Sequence, residues 1–189
     1  MNKKVYLILF IYFIALSCSN KNQNDLISCL QIVDRNGLSE TISSKEEIVK
    51  YQNTDFNKSQ PYQKVLRIYK NSKNKDSKSI LTSYHPNGEL FKYLEIKDSR
   101  AFGKYMEYHP NGILKVLANV IGGPSDFDAA SDWIFDGECQ VFLENQKLVS
   151  KFNYLKGSLE GSSFFYYPNS KIKKIIHYEN NKINLDIIE

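Results

Sequence analysis

The side chains in this 189-residue sequence that could do chemistry are few and poorly grouped: three histidines, three cysteines and one run of aspartates. His85 and His109 stand in the same place, each just ahead of a Pro-Asn-Gly. One hairpin apart means two strands apart, about 9–10 Å, whereas zinc needs every donor within about 2.1 Å of the ion. They read as turn residues. His177 falls in an alternating stretch and is expected on a polar strand face. Asp126, Asp128, Asp132 and Asp136 cluster in one region, but a calcium loop needs oxygen donors at set spacing ending in a bidentate acid, and only one Asp-x-Asp occurs. The sequence holds no phosphate-binding glycine loop, no HExxH and no GxSxG. No acid, base and nucleophile are set together, so no enzymatic activity, cofactor, metal or small-molecule substrate is expected.

Cys18 is the exception. Met1-Asn2-Lys3-Lys4 is basic, residues 5–16 are an unbroken apolar and aromatic run, and a polar tract follows Ser17-Cys18. That is the layout of a secretory signal. Twelve helical residues cover about 18 Å, well short of a hydrocarbon core of about 30 Å, so the run is too short for a permanent span. Ala15-Leu16-Ser17-Cys18 resembles the bacterial lipobox, with Ala15 where Leu is commonest and Ser17 where Gly or Ala is. The expectation is cleavage after residue 17 and lipid attachment at Cys18; an ordinary cleaved signal is the alternative. Two acyl chains would make a stable tether. Ser19, rather than Asp, after the cysteine resembles sorting to the outer membrane, so the expected address is the cell envelope. Export leaves Cys29 and Cys139 as an even pair able to oxidise, but their spacing does not say whether they meet.

The elements that carry these residues come from a repeat. Tyr84-His85-Pro86-Asn87-Gly88-Glu89-Leu90 returns 24 residues on as Tyr108-His109-Pro110-Asn111-Gly112-Ile113-Leu114. Phe142-Leu143-Glu144-Asn145-Gln146-Lys147-Leu148 is a degraded copy after 34, and Tyr166-Tyr167-Pro168-Asn169-Ser170-Lys171-Ile172 a fourth after 24. The long interval equals one period plus ten residues, and residues 122–130 have the composition of the inserted loop. Ser79, Gly103, Gly137 and Gly161 lie five residues before each aromatic; Ile96, Val120, Tyr154 and Tyr178 lie twelve after.

Each unit reads as a β-hairpin. Pro presets φ, Asn suits the next place, Gly accepts positive φ, and a three-residue loop with a glycine bulge fits. Without Pro or Gly, the third copy should need another kind of turn, and Ser170 should disturb the fourth. Beyond the turn, Leu114, Val116, Ala118 and Val120 alternate with more polar residues, which means strand. Leu90, Leu114, Leu148 and Ile172 form one row, and Leu94, Ala118, Phe152 and Ile176 another; both are expected on one buried face. The aromatic row Tyr84, Tyr108, Phe142 and Tyr166 could form a binding ladder, but cross-strand packing is the favoured reading. Trp133 and Phe135 either meet a partner or pack into the following strand, and their apolar context favours packing. The fold expected is mainly β: an elongated single-layer antiparallel meander of repeated hairpins, with a small helix-containing N-terminal cap.

The parts expected are a signal over 1–17, a linker over 18–30, a cap over 31–78 and the array over 79–189. In the cap, Asn36-Gly37 marks another turn, Ser44-Lys45-Glu46-Glu47 is a capping box leading into a short helix, and residues 65–69 read as a strand. The formal charge of +4 falls to +2 without Lys3 and Lys4, too little for a nucleic-acid footprint. Thirteen tyrosines suit strands with one wet face.

The unit Tyr-x-Pro-Asn-Gly-x-Leu, with Gly five residues ahead of the Tyr, resembles the bacterial variant of the MORN repeat over about residues 79–184. The resemblance implies a binding scaffold. Proteins with this variant are often labelled toxin-neutralising antitoxins, and others are envelope lipoproteins. The function expected is a non-enzymatic, membrane-anchored lipoprotein whose sheet binds a protein partner (or a glycan); the alternative is an antitoxin or immunity protein that blocks a toxin by direct binding.

Overall fold

The computed structural model describes residues 26–69 and 77–184. The expected signal, Cys18 and most of the expected linker lie outside the described residues, as does most of the polar loop after residue 69.

The repeat dictates the architecture. Thirteen strands form one antiparallel sheet: β1 Ile27–Val33, β2 Ser39–Ile42, β3 Lys64–Tyr69, β4 Lys78–Tyr84, β5 Leu90–Lys97, β6 Arg100–Tyr108, β7 Leu114–Val120, β8 Gly137–Phe142, β9 Leu148–Leu155, β10 Ser158–Leu159, β11 Gly161–Tyr166, β12 Ile172–Glu179 and β13 Lys182–Asn184. From β3 onward neighbours in sequence are neighbours in space, while the β1–β2 hairpin adds to the outer side of β3 with β2 at the edge. The short β10 pairs only with β9. The mainly β repeat meander is therefore as expected.

The same turn is built five times. In the first full copy, Gly88 N–H donates to His85 O at 2.9 Å and His85 N–H to Glu89 O at 2.8 Å. This is a three-residue loop closed by a left-handed residue. The third copy repeats it, with Gln146 N–H to Leu143 O at 2.9 Å, and the fourth with Ser170 N–H to Tyr167 O at 2.8 Å. Gln146 and Ser170 adopt φ of 66° and 65° to do so. The expectation of a different third turn is thus corrected: hydrogen bonding to the flanking strands holds the geometry, and the chain tolerates a strained residue. The fifth instance is Asp34 to Leu38, inside the expected cap, where Gly37 N–H reaches Asp34 O at 3.1 Å.

The returning turns are different. Asp98-Ser99, Lys156-Gly157 and Asn180-Asn181 are two-residue loops with both φ positive. That backbone matches the right-handed strand twist.

A second correction concerns the rows. In the four repeat hairpins, though not in β1–β2, the register shifts beside the three-residue turn: Ser83 pairs Lys92 but Tyr84 pairs Leu90, and Glu107 pairs Val116 but Tyr108 pairs Leu114. The extra residue, Phe91 or Lys115, is a bulge, and a bulge reverses the alternation. Leu90 therefore shares the Tyr84 face, in a core with Leu30, Val65 and Phe56, while Leu94 lies in another with Leu81, Tyr105 and Ala118. The two expected rows occupy opposite faces. Burial also fades along the first row, from 5% exposure at Leu90 to 52% at Ile172.

Two covers give the sheet its cores. On the back face, α1 Lys45–Ile48 and the loop after it lay Ile48 and Phe56 over β1 and β3. Ser44 precedes this helix, but its Oγ donates to Glu47 Oε2 at 3.0 Å and makes no backbone cap. The cap is thus part of the same sheet, and β1 already begins at Ile27, inside the expected linker. On the front face the inserted loop between β7 and β8 forms the second cover.

Candidate functional site

The insertion sits where a two-residue turn would otherwise join β7 to β8. Gly123, with φ of 116°, packs against Trp133, where a Cβ would come within 2.8 Å of the ring. A 3₁₀ segment, Phe127–Asp132, starts at Asp126, whose carboxylate accepts from Asp128 N–H at 3.2 Å. The loop folds back on the sheet. Trp133 meets Tyr105 edge to face at 5.0 Å and Phe127 at 6.5 Å, and its Nε1–H donates to Pro124 O at 2.8 Å. Phe135 continues the cover to Tyr154, 5.5 Å between centroids. Trp133 and Phe135 therefore pack on the chain itself, as their apolar context suggested.

Charges hold the cover's rim. Lys64 Nζ lies 3.4 Å from Asp126 Oδ1. Lys92 Nζ sits 5.7 Å from the centre of the Phe127 ring, a cation–π contact. Burial raises the Asp126 pKa, but the Asp128 N–H and Lys64 outweigh it and hold the carboxyl below its usual value. Glu107 behaves alike: burial pushes it up, while hydrogen bonds from Lys115, at 2.6 Å, and from the Tyr105 hydroxyl, at 3.0 Å, bring it below its usual value. The aspartates are dispersed in role, since Asp136 Oδ1 accepts from Lys156 N–H at 2.9 Å. Among the described residues no three His, Cys, Asp or Glu side chains converge as metal ligands.

The histidines tie hairpins together. His85 Nε2–H donates to Tyr108 O at 2.8 Å, and His109 Nε2–H to Phe142 O at 2.9 Å. Arg35 does the same for Tyr84 O at 3.3 Å. Asn87 Nδ2 adds a bond to Pro110 O at 2.7 Å. A carbonyl oxygen can only accept, so Nε2 carries a hydrogen in both histidines. His177, on a strand, pairs through Nδ1 with Ser162 Oγ at 2.9 Å. The period revealed the positions of these histidines but not their partners, which lie in the next unit.

The aromatic row serves mostly as structure. Tyr84 is buried, donates to Phe56 O at 2.8 Å, and burial pushes its pKa up to about 12. Tyr108 packs against the same core. Cys29 and Cys139 are both free thiols on separate strands, and burial pushes Cys139 up to about 11, so it stays protonated and a poor nucleophile.

Beyond the Phe135–Tyr154 contact the front face changes. Val141, Phe152 and Phe165 are only half-buried, Phe152 and Phe165 meet edge to face at 5.6 Å, and a shallow depression of about 270 Å³ opens over Val149, Phe165 and Ile176, flanked by Lys173 and Lys174. Ile183, on the edge strand β13, is more than half exposed. Sequence reasoning missed this surface, because the repeat pattern says which side chains share a row but not where a cover stops.

These features define an open repeat sheet of β-hairpins, self-covered on one half of its front face. Residues 103–121 and 159–180 match the family model described as MORN repeat variant. The chain thus carries MORN-variant repeats, and the two matches coincide with the second and fourth hairpins. The first and third adopt the same hairpin outside the matched ranges. No curated protein and no solved structure matches the chain. Among the described residues no helix is long and apolar enough to cross a membrane.

Proposed function

We propose that this protein is a non-enzymatic lipoprotein of the cell envelope, tethered through Cys18, whose hairpin-repeat sheet is a docking module for a partner protein. The observation that carries the reading is the repeat itself: MORN-variant hairpins matched at residues 103–121 and 159–180, assembled into a single-layer sheet with apolar front face left open past Tyr154. Repeat sheets of this kind offer extended surfaces, and a half-buried aromatic patch flanked by charge has the composition of a protein interface. Side chains with chemistry serve structure: His85 and His109 hold inter-hairpin carbonyls, His177 meets Ser162, Asp136 holds a turn and Asp126 makes an ion pair.

The tether is tested by growing cells with an alkyne fatty acid and comparing the native chain with Cys18→Ser. The reading requires label on the native protein alone, and membrane recovery that Cys18→Ser abolishes. An unlabelled, soluble cytoplasmic protein would overturn it and favour binding of a cytoplasmic toxin instead.

A further inference from the structure

The protein contains its own example of what the front face binds. The insertion is a short acidic and aromatic segment, Pro124-Ser125-Asp126-Phe127-Asp128 followed by Asp132-Trp133-Ile134-Phe135-Asp136. It docks on the first half of the face by putting aromatic rings on the sheet and carboxylates at basic side chains: Phe127 under Lys92, Asp126 at Lys64, Trp133 on Tyr105. The repeat carries the same register onward. Counting one period, the long interval and one more period, Lys92 corresponds to Lys174, Leu94 to Ile176 and Ser83 to Phe165. The pairings agree: Lys92 sits opposite Ser83, and Lys174 opposite Phe165. So the fourth hairpin repeats Lys92 and Leu94 as Lys174 and Ile176 and puts Phe165 in the place of Ser83, while Ser150 stands where Lys64 does. There Lys174 is exposed and the depression between it, Phe165 and Ile176 is open.

We infer that the depression over Phe165 and Ile176 is the docking site for a segment of a partner protein that presents an aromatic side chain flanked by carboxylates. The inference rests on the protein-binding reading and names the partner's chemistry. Charge complementarity selects this occupant. Lys171, Lys173, Lys174 and Lys182 outnumber Glu160 and Glu179 across the fourth hairpin and the strand after it. A lysine beside a half-dehydrated aromatic floor favours an aromatic ring by cation–π attraction and a carboxylate by charge.

The experiment titrates a fluorescent peptide of residues 124–136 into the intact protein. Expected is saturable binding, with a Kd of about 100 μM for so small a contact. Lys173→Glu with Lys174→Glu should weaken it about tenfold, and Lys50→Glu, on the far cap, should leave it unchanged. Changing the peptide's four aspartates to Asn, or its three aromatics to Ala, should abolish measurable binding. No saturation at about 1 mM, equal binding of either altered peptide, or indifference to the lysine reversals would overturn the inference. Self-association that depends on Lys174, with no peptide binding, would make the occupant a second copy. Sedimentation with anionic vesicles, again without peptide binding, would make it a membrane. Either result overturns the inference. A partner cross-linked through another surface would overturn this site while leaving the protein-binding reading standing.

Discussion

Replacing Gln146 and Ser170 by glycine should stabilise the protein, though neither change adds a contact. Both residues close a three-residue turn with φ of 66° and 65°, where Gly37, Gly88 and Gly112 stand in the other copies. A side chain in this left-handed region costs about 1–2 kcal/mol. Glycine removes that cost but gives back about 0.5–1 kcal/mol through the greater freedom of the unfolded chain. The net gain is about 0.5–1 kcal/mol per site. For a chain of this length that raises Tm by about 1–4 °C. Thermal unfolding followed by circular dichroism would measure it for each single variant. Gly112→Gln is the mirror experiment, because a Cβ there meets only Glu89 Oε2 at 3.4 Å, whereas at Gly88 it would lie 2.7 Å from Ser59 Oγ. Gly112→Gln should lose about as much as the others gain. If Gln146→Gly and Ser170→Gly lower Tm while Gly112→Gln is harmless, the turns do not share one geometry and the five-fold reading is wrong.

Trp133→Ala should cost about 3–5 kcal/mol, the range for emptying a buried aromatic site, and speed amide exchange at Tyr105 and Ala118 beneath it. Trp133 is the single tryptophan and is 6% exposed, so native emission should be blue-shifted and move red when the cover opens before global unfolding. His109→Ala should cost about 1 kcal/mol by leaving Phe142 O without its side-chain donor, read as a lower urea midpoint with unchanged slope. Glu107 has a folded pKa below its unfolded value, so its contribution is present above the ordinary carboxylate pKa and is lost as pH falls through the folded one. Glu107→Gln should therefore flatten the loss of stability between about pH 5 and pH 3; an unchanged acid limb would refute the Lys115–Tyr105 pairing as its cause.

The repeat made most of the fold legible, because Pro-Asn-Gly sets a turn locally and period two sets strands locally. What escaped depends on relations between strands. The bulges at Phe91 and Lys115 sit where turn geometry meets strand pairing, and one extra residue moved Leu90 and Leu114 to the face opposite Leu94 and Ala118. Gln146 and Ser170 looked like departures from the turn because propensity is only a preference, and the flanking ladder overrode it. The Asn36-Gly37 turn fits either a divergent hairpin or a cap on sequence alone, since its residues share neither the aromatic nor the proline, and the structure shows the hairpin. The candidate site was half visible: the insertion could be placed by arithmetic, and its aromatics were expected to pack. Its position over Tyr105, and the exposed equivalent of Lys92 at Lys174, required the register of the whole sheet.

The account stands most directly on which face of the sheet meets a partner in the cell. Photo-reactive benzoylphenylalanine placed at Phe165, on the open front face, and at Asn153, exposed on the back, would be irradiated in intact cells carrying the full chain. The account predicts a discrete adduct from Phe165 in the membrane fraction, absent from Asn153 and lost with Lys173→Glu and Lys174→Glu. The same adducts from both positions, or an adduct from Asn153 alone, would contradict it.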